Sequence, residues 1–115
     1  DRSVSRGLGD VYKRQVYLYC KGSGASATGF VSIGGFTDYK RSVISDHTVP
    51  SLETGGKSYF NLRNALVRDG VIDERIFMHD YEFNAPSAAS AVVLGHTSNG
   101  NVDWKTAEGI KLKDI

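Results

Sequence analysis

The alternation of apolar and polar positions divides most of the chain into short elements. Residues 16–20 are rich in β-favouring side chains and end at a glycine-containing turn at residues 22–24, which predicts a first strand. The segments 30–33 and 36–45 predict further strands of the same sheet. Residues 46–57 contain a proline and a glycine pair without a hydrophobic period, so they predict a loop.

A helical period follows this loop. Apolar residues at helical spacing, with Ser58 as a candidate N-cap and Gly70 as a left-handed C-terminal stop, predict a helix over residues 58–69. Strict alternation then returns at residues 76–83. This segment is typical of a strand whose aromatic side faces the core.

A second helix is predicted closer to the C-terminus. Pro86 suits the first helical position, Asn84 or Ser87 can supply a capping oxygen, and Gly95 provides the stop. The residues between Pro86 and Gly95 are small or apolar, which favours a short and closely packed helix.

The last elements predicted are a turn and two strands. The dipeptide Asn99-Gly100 is typical of hairpin turns, and residues 102–105 and 110–112 resemble short strands. The whole pattern predicts an α+β fold, a small and mostly antiparallel sheet with two short helices, in a single domain over residues 16–115.

Composition narrows the class of protein. A chain of 115 residues with 40% hydrophobic and 23% charged residues fits one globular domain, and excludes a large multidomain enzyme and global disorder. No apolar run is long enough to span a bilayer, so we expect a soluble cytoplasmic protein with no membrane contact. The single cysteine, Cys20, cannot form an internal disulfide.

The positive charge of the chain is concentrated in its first fifteen residues. Residues 1–15 carry four basic and two acidic side chains, whereas the rest carries ten basic and eleven acidic ones and has a net charge of −1. The sequence RGLGDVYKRQ in this leader resembles a translated sequencing adapter. We therefore interpret the leader as non-native, with a disordered basic arm as the alternative. If the leader is non-native, we expect the native protein to be longer at its N-terminus.

Motifs in the C-terminal half carry a family resemblance. An arginine-bearing helix that ends in glycine is followed by an Asp-Tyr-x-Phe element and a Pro-Ser-Ala-Ala segment. Val-Val-Leu-Gly, Ser-Asn-Gly, a Trp-Lys pair and a final Gly-x-x-Leu come after them. The matching residues in this sequence are Arg63, Gly70, Asp80, Tyr81, Phe83, Pro86, Ser87, Ala88, Ala89, Val92, Val93, Leu94, Gly95, Ser98, Asn99, Gly100, Trp104, Lys105, Gly109 and Leu112. They resemble domain-of-unknown-function family 4357, a small module found near the C-terminus of some GIY-YIG-type nucleases and other bacterial proteins. The resemblance covers about residues 16–115 and implies a fold without naming an activity.

Two further similarities affect the interpretation. Lys40-Arg41-Ser42 stands where family members tend to carry lysine-glycine-serine, so Arg41 replaces a glycine. The segment at Pro86, followed by Asn99-Gly100 and a tryptophan, is also similar to a module of restriction systems and adenine methylases for which modified-DNA reading has been proposed. That second similarity is an analogy between folds.

Several polar and basic residues are candidates for nucleic-acid binding. Lys40 and Arg41 directly follow Tyr39 on a predicted ribbon, where two charges and a ring can bind phosphate and base. Ser87 lies at a helix start, where free backbone N–H groups suit an anion. Surface decoration for the cations, and a simple helix cap for Ser87, are the structural alternatives. Ser98 and Asn99, at the predicted turn, are two further candidates for nucleic-acid binding.

Trp104 and Lys105 allow two interpretations. Together they can form an aromatic platform with a cation, yet a lone tryptophan in a small domain is more commonly a core anchor. We expect the core to contain four large apolar side chains: Trp104, Phe83, Leu66 and Val92.

Catalytic and metal-binding motifs are weak. Asp80 and the Asp103-Trp104-Lys105 segment resemble half of a carboxylate arrangement that holds a divalent metal in nucleases. The three histidines, His47, His79 and His96, lack a second ligand at i+3 or i+4. We therefore predict no cofactor, no metal site and no enzymatic activity.

Three functions remain open. The first is a non-catalytic accessory module that binds DNA or RNA, including modified DNA, for a nuclease or defence protein. The second is a protein-interaction domain, or a docking domain for a catalytic domain that precedes it in the native chain. The third is a metal-dependent nuclease that uses Asp80 and Asp103.

Overall fold

The fold is α+β, as the alternation pattern predicts. The computed structural model describes residues 16–55 and 57–115, so the leader at residues 1–15 lies outside the described residues. The strands are β1 (Leu18–Gly22), β2 (Ala25–Ser32), β3 (Gly35–Asp38), β4 (Ile72–Asp73), β5 (Ile76–Phe77) and β6 (Tyr81–Phe83). The main sheet is antiparallel with the order β1-β2-β3-β6, and β4 and β5 form a hairpin.

The helices are more numerous than the two that the sequence predicts. Within the described residues they are α1 (Pro50–Thr54), α2 (Lys57–Arg68), α3 (Pro86–Leu94) and α4 (Gly100–Asp103), followed by a 3-10 turn at Leu112–Asp114. The expected loop at residues 46–57 therefore contains α1, which has Pro50 in its first turn and buries Leu52. Ser58 lies inside α2 and is not its cap.

Helix α3 has the boundaries that its proline and glycine predict. Pro86 occupies its first turn, and Gly95 ends it with φ +79° in the left-handed region. The expected caps are wrong, because Ala85 precedes the helix and no side chain caps it. The hydroxyl of Ser87 instead accepts a hydrogen bond from the Gly100 N–H at 2.9 Å.

Alternation gives the main sheet two chemically different faces. Leu18 and Cys20 on β1 share one face with Phe36 on β3, and these three side chains are buried. Helix α3 packs on this inner face and contacts β1, β2, β3 and β6. Helix α2 packs on α3, so α3 lies between the sheet and α2.

The core fills the space between the sheet and α3. Trp104, Phe83, Leu66 and Val92 all lie in it. The Trp104 ring lies 4.3 Å from that of Phe36 between centroids, and its Nε1 donates to the Pro86 carbonyl at 3.1 Å. Because Trp104 joins the sheet to the start of α3, it anchors the C-terminal segment.

The alternating segment at residues 76–83 is divided in two. Residues 78–80 separate β5 from β6, although Phe77 and Phe83 both face the core. After the end of β3, Val43 forms isolated bridges with Ser26 of β2 and Ile76 of β5. The hairpin of β4 and β5 thereby continues the sheet beyond the end of β3.

The expected hairpin at Asn99-Gly100 is wrong. Asn99 caps α4 by accepting the Asn101 N–H at 3.0 Å, and Gly100 is the first residue of α4. The two strands expected after it are reduced to isolated bridges of Lys105 with Tyr19 and Lys111. Across the part of the chain that the structure describes, no helix has the length and apolar character needed to cross a bilayer.

Candidate nucleic-acid interface

The face of the main sheet opposite α3 carries a row of aromatic rings. We call this the aromatic row and define it as Tyr17, Tyr19, Phe30 and Tyr39. The pairings Tyr19↔Thr28 and Phe30↔Thr37 place these strand positions on the outer face, and the Tyr39 N–H donates to the Thr28 carbonyl at 2.9 Å.

Tyr39 contacts two other rings of the row. The centroid of Tyr39 lies 5.2 Å from that of Phe30 and 5.8 Å from that of Tyr17. Tyr17 is 53% exposed, and the other rings of the row are partly exposed. Exposed rings held by a rigid sheet form a surface on which nucleobases can stack.

Basic side chains adjoin one end of the aromatic row. Lys21 lies two residues after Tyr19 on β1, so both side chains emerge on the outer face. Lys105 pairs directly with Tyr19 across the edge of the sheet, with backbone hydrogen bonds of 2.7 and 3.0 Å. Neither Lys21 nor Lys105 forms an ion pair with another described residue. These cations can therefore take phosphate groups.

A cleft of about 340 Å³ lies at the same end. We call it the Tyr19 cleft, and its lining residues are Tyr19, Lys21, Asp103, Lys105, Thr106, Ala107 and Gly109. It joins the aromatic row to the segment after α4. The cleft therefore combines a ring, two cations and one carboxylate.

Lys40 and Arg41 lie at the opposite end of the row, in a bulge formed by residues 39–42. The bulge interrupts the strand between β3 and the bridge at Val43. Arg41 has φ +77°, a left-handed conformation that favours glycine. The Lys40 N–H donates to the Asp80 carboxylate at 2.8 Å, and both cationic side chains are exposed.

Ser87, Ser98 and Asn99 lie at the junction of α3 and α4, apart from the bulge. Ser87 accepts the Gly100 N–H, as described above. The Ser98 hydroxyl donates to the Asp103 carboxylate and lies 2.7 Å from that of Ser90. The close backbone of Gly100 also covers the first turn of α3. Ser87, Ser98 and Asn99 therefore all make intramolecular hydrogen bonds. Only Ser98 is bonded to a residue that lines the Tyr19 cleft, which is Asp103.

Trp104 does not form the surface platform considered above, because its side chain is 0% exposed. Lys105 nevertheless lies next to an aromatic ring, which is that of Tyr19. Sequence reasoning missed Tyr17, Tyr19 and Phe30 as surface residues. The available signal was the spacing of Tyr17, Tyr19 and Lys21, which alternate with buried residues on β1.

The two acids of the nuclease hypothesis are far apart. Asp80 precedes β6 and Asp103 lies beyond β1, at opposite edges of the four-stranded sheet. The strand spacing alone separates these edges by about 14 Å, which is too far for one metal ion. Among residues 16–55 and 57–115, no group of three His, Cys, Asp or Glu side chains could hold a metal.

Two titratable groups lie beneath the outer face. Burial, together with the nearby Asp103 and Asp38 carboxylates, raises the pKa of the Cys20 thiol to about 12. Burial also raises the pKa of Asp38 well above its ordinary value, and neither of its carboxyl oxygens has a hydrogen-bond partner. A thiol protonated in this way is a poor nucleophile, so Cys20 belongs to the core and not to a site.

Arg63 is a buried cation with a structural role. Its guanidinium donates to the Ser45 hydroxyl, the Ser45 carbonyl and the Val92 carbonyl at 2.6 to 2.9 Å. Burial lowers the pKa of Arg63, which the nearby Asp46 partly opposes. The side chain thus ties α2 to α3 and to the segment before α1.

Comparisons with known proteins give one match. A search of curated proteins and a search of solved structures find none. A family model described as a domain of unknown function, DUF4357, matches residues 18–115, which include every strand and helix described above. The chain therefore belongs to the DUF4357 family.

Proposed function

We propose that this domain is a non-catalytic module that binds single-stranded nucleic acid on the outer face of its sheet. The observation that carries the proposal is the aromatic row, which is exposed opposite α3 and ends beside Lys21 and Lys105. Rings that stack bases and cations that take phosphates are the two components of such surfaces. Bases can lie on the rings only when they are unpaired, so a single strand fits better than a duplex.

The charge distribution supports a local interface. Residues 16–115 have a net charge of −1, so the whole domain does not attract nucleic acid. The cations adjoin the ends of the aromatic row, with Lys21 and Lys105 at one end and Lys40 and Arg41 at the other. A strand lying along the row would meet positive charge at both ends. We expect weak, salt-sensitive binding that serves a cytoplasmic nuclease or defence protein.

Fluorescence anisotropy at low salt tests this proposal, with labelled single-stranded DNA, duplex DNA, methylated DNA and RNA as probes. Tyr17→Leu replaces the aromatic ring with an aliphatic side chain that cannot stack on a base, so we expect about tenfold weaker binding of single strands. Tyr17→Phe keeps the ring and is the matched control. Because residues 1–15 are present in every variant, their charge contributes equally to all of them.

Charge variants test the second component. Lys21→Gln should weaken binding and make it less dependent on salt, whereas Lys57→Gln on α2 should change neither. The proposal is wrong if no probe binds, or if Tyr17→Leu binds as tightly as Tyr17→Phe.

The docking hypothesis has its own supporting observation. Val31 and Ile33 are exposed near the β2–β3 turn, and Val16, Leu18, Val31, Leu112 and Ile115 line a small apolar groove of about 170 Å³. Exposed apolar side chains of this kind suit a protein partner. A partner that copurifies with the chain and is lost on Val31→Lys substitution would favour this second function.

A further inference from the structure

The Tyr19 cleft contains one group that a purely phosphate-binding surface would lack. Lys21 and Lys105 line the cleft together with the carboxylate of Asp103. A carboxylate repels phosphate, so its presence weakens simple attraction to the nucleic-acid backbone. The mixed charge fits a ligand that presents hydrogen-bond donors as well as a phosphate.

A hydrogen bond from a neighbouring serine hydroxyl holds the Asp103 carboxylate in position. The Ser98 hydroxyl donates to its Oδ2, and the Ser90 hydroxyl lies 2.7 Å from that of Ser98. The other carboxylate oxygen, Oδ1, has no hydrogen bond to any residue that the structure describes. Asp103 therefore has one free acceptor oxygen, and it lines the same cleft as Tyr19.

We propose that the Tyr19 cleft is a base-selecting subsite that takes one nucleotide whose base carries an exocyclic amino group, with cytosine favoured over thymine and uracil. This inference rests on the proposed function. The Tyr19 ring stacks on the base, Asp103 accepts from the amino group, and Lys21 and Lys105 take adjoining phosphates.

The chemistry of the bases explains the discrimination. Where cytosine carries its N4 amino donor, thymine and uracil carry a carbonyl oxygen that the carboxylate of Asp103 repels. The volume of about 340 Å³ lies within the range of small-ligand sites and suits a single nucleotide. The lysines do not contribute to this choice, because phosphates are the same in every sequence.

The test compares short oligodeoxycytidine and oligodeoxythymidine of equal length, with the same label, near neutral pH and at low salt. We expect the full chain to bind the cytosine strand about tenfold more tightly. Asp103→Asn should abolish or reverse this preference, because the amide oxygen still accepts from Ser98 while the amide NH2 faces the cleft, where it donates to the thymine carbonyl and opposes the cytosine amino group.

Two further variants separate base choice from charge and from folding. Lys105→Gln should weaken binding of both strands by the same factor and leave their ratio unchanged. Ser98→Ala keeps the carboxylate but removes the bond that orients it, so it should lower the ratio. Thermal melting shows whether each variant is folded.

The outcomes distinguish the two proposals. Equal binding of the two strands by the unmodified chain overturns the base-selecting subsite and leaves the proposed function standing. A cytosine preference that persists in a folded Asp103→Asn variant also overturns the assignment. If neither strand binds, the proposed function fails and the subsite fails with it.

Discussion

Asp38 is a carboxylic acid in the core whose two oxygens have no hydrogen-bond partner among the described residues. It lies on β3 between Gly29 and Tyr81 of the neighbouring strands. Burial disfavours the charged form and raises the pKa of Asp38. The folded protein therefore keeps this carboxyl group protonated at pH values where the unfolded chain begins to ionise it.

The first prediction concerns the pH dependence that Asp38 imposes. Below about pH 4 the group is protonated in both states and has no effect on stability. As the pH rises, only the unfolded chain loses the proton, so the free energy of unfolding falls by up to about 1.4 kcal/mol per pH unit until the folded pKa is reached. Asp38→Asn removes this loss and should be more stable than the wild type near pH 7.

Urea denaturation at about pH 4 and about pH 7 measures this difference. The stability gained by Asp38→Asn should be larger at the higher pH. Asp73→Asn changes an exposed acid on β4 and is the matched control. An Asn variant with the same stability as the wild type near neutral pH would contradict the prediction.

Arg41 has a backbone conformation that suits a different residue. Its φ of +77° lies where glycine is favoured, and the family resemblance places a glycine at this position. Relief of the strained conformation offsets the extra entropy of a glycine in the unfolded chain. Arg41→Gly should therefore leave stability unchanged or raise it by up to about 1 kcal/mol.

The same substitution should weaken nucleic-acid binding by about two- to fivefold at low salt, because it removes a cation beside Tyr39. Thermal melting and anisotropy on one preparation measure the two effects. Arg68→Ala, at an exposed position on α2, should change neither. Loss of stability in Arg41→Gly would show that the side chain of Arg41 is needed for folding.

At the scale of elements, local signals predict only those boundaries that local geometry determines. The proline at the start of α3 and the glycine at its end act through backbone conformation, so both boundaries were predictable. Gly100 was wrongly predicted to lie in a hairpin turn, because a glycine is needed there for close packing and not for a turn. A Cβ there would lie 2.3 Å from the Pro86 carbonyl carbon and 2.5 Å from the Ser87 nitrogen. No local pattern reveals a contact with a segment thirteen residues away.

The hairpin of β4 and β5 contains a turn with unfavourable residues. Glu74 and Arg75 form its two-residue loop with φ +50° and +68°, where Asn-Gly is preferred. The double substitution Glu74→Asn and Arg75→Gly should raise the free energy of unfolding by about 1 kcal/mol, because it relieves this conformation.

Denaturation of the double variant tests the hairpin prediction. A second chain with alanine at both positions loses the same charges without the conformational gain, and it should be no more stable than the wild type. If both double variants are equally stable, the turn conformation has no measurable effect on folding.

At the scale of the molecule, the position of the helices decides which face of the sheet is free. Period-two alternation on β1 separates Tyr17, Tyr19 and Lys21 from Leu18 and Cys20. The alternation groups the two tyrosines with Lys21, a residue type that is rarely buried, but it does not show whether another element covers that face. Only the packing of α3 on the inner face leaves the aromatic row exposed. For this reason the spacing on β1 indicates a set of outward-facing residues, but the exposure of the whole aromatic row could not be predicted from the sequence alone.

Cys20 reports on the integrity of the whole sheet. It is the only cysteine of the chain, it is 0% exposed, and burial with nearby carboxylates raises its thiol pKa to about 12. A thiol-specific reagent at neutral pH should therefore label it only when β1 opens. We expect labelling to be slow in buffer and rapid in urea, as followed by mass spectrometry.

The denatured chain provides the control, because it shows the rate at a fully accessible thiol. Rapid labelling in buffer without denaturant would contradict a closed β1 and a buried Cys20. Labelling that slows in the presence of a bound oligonucleotide would connect the stability of β1 to the outer face.

Helix α3 is buried on every side along residues 88–94, with the sheet on one side and α2 on the other. A fragment that ends after α2 lacks α3 and leaves the inner face of the sheet uncovered. A fragment that starts at β6 contains α3 but lacks most of the strands and the α2 helix that cover it. Both fragments would expose apolar surface to water. Such fragments should aggregate. A truncation or a fusion joint placed between α2 and β6 would therefore abolish soluble expression, whereas joints outside residues 16–115 would leave the helix covered.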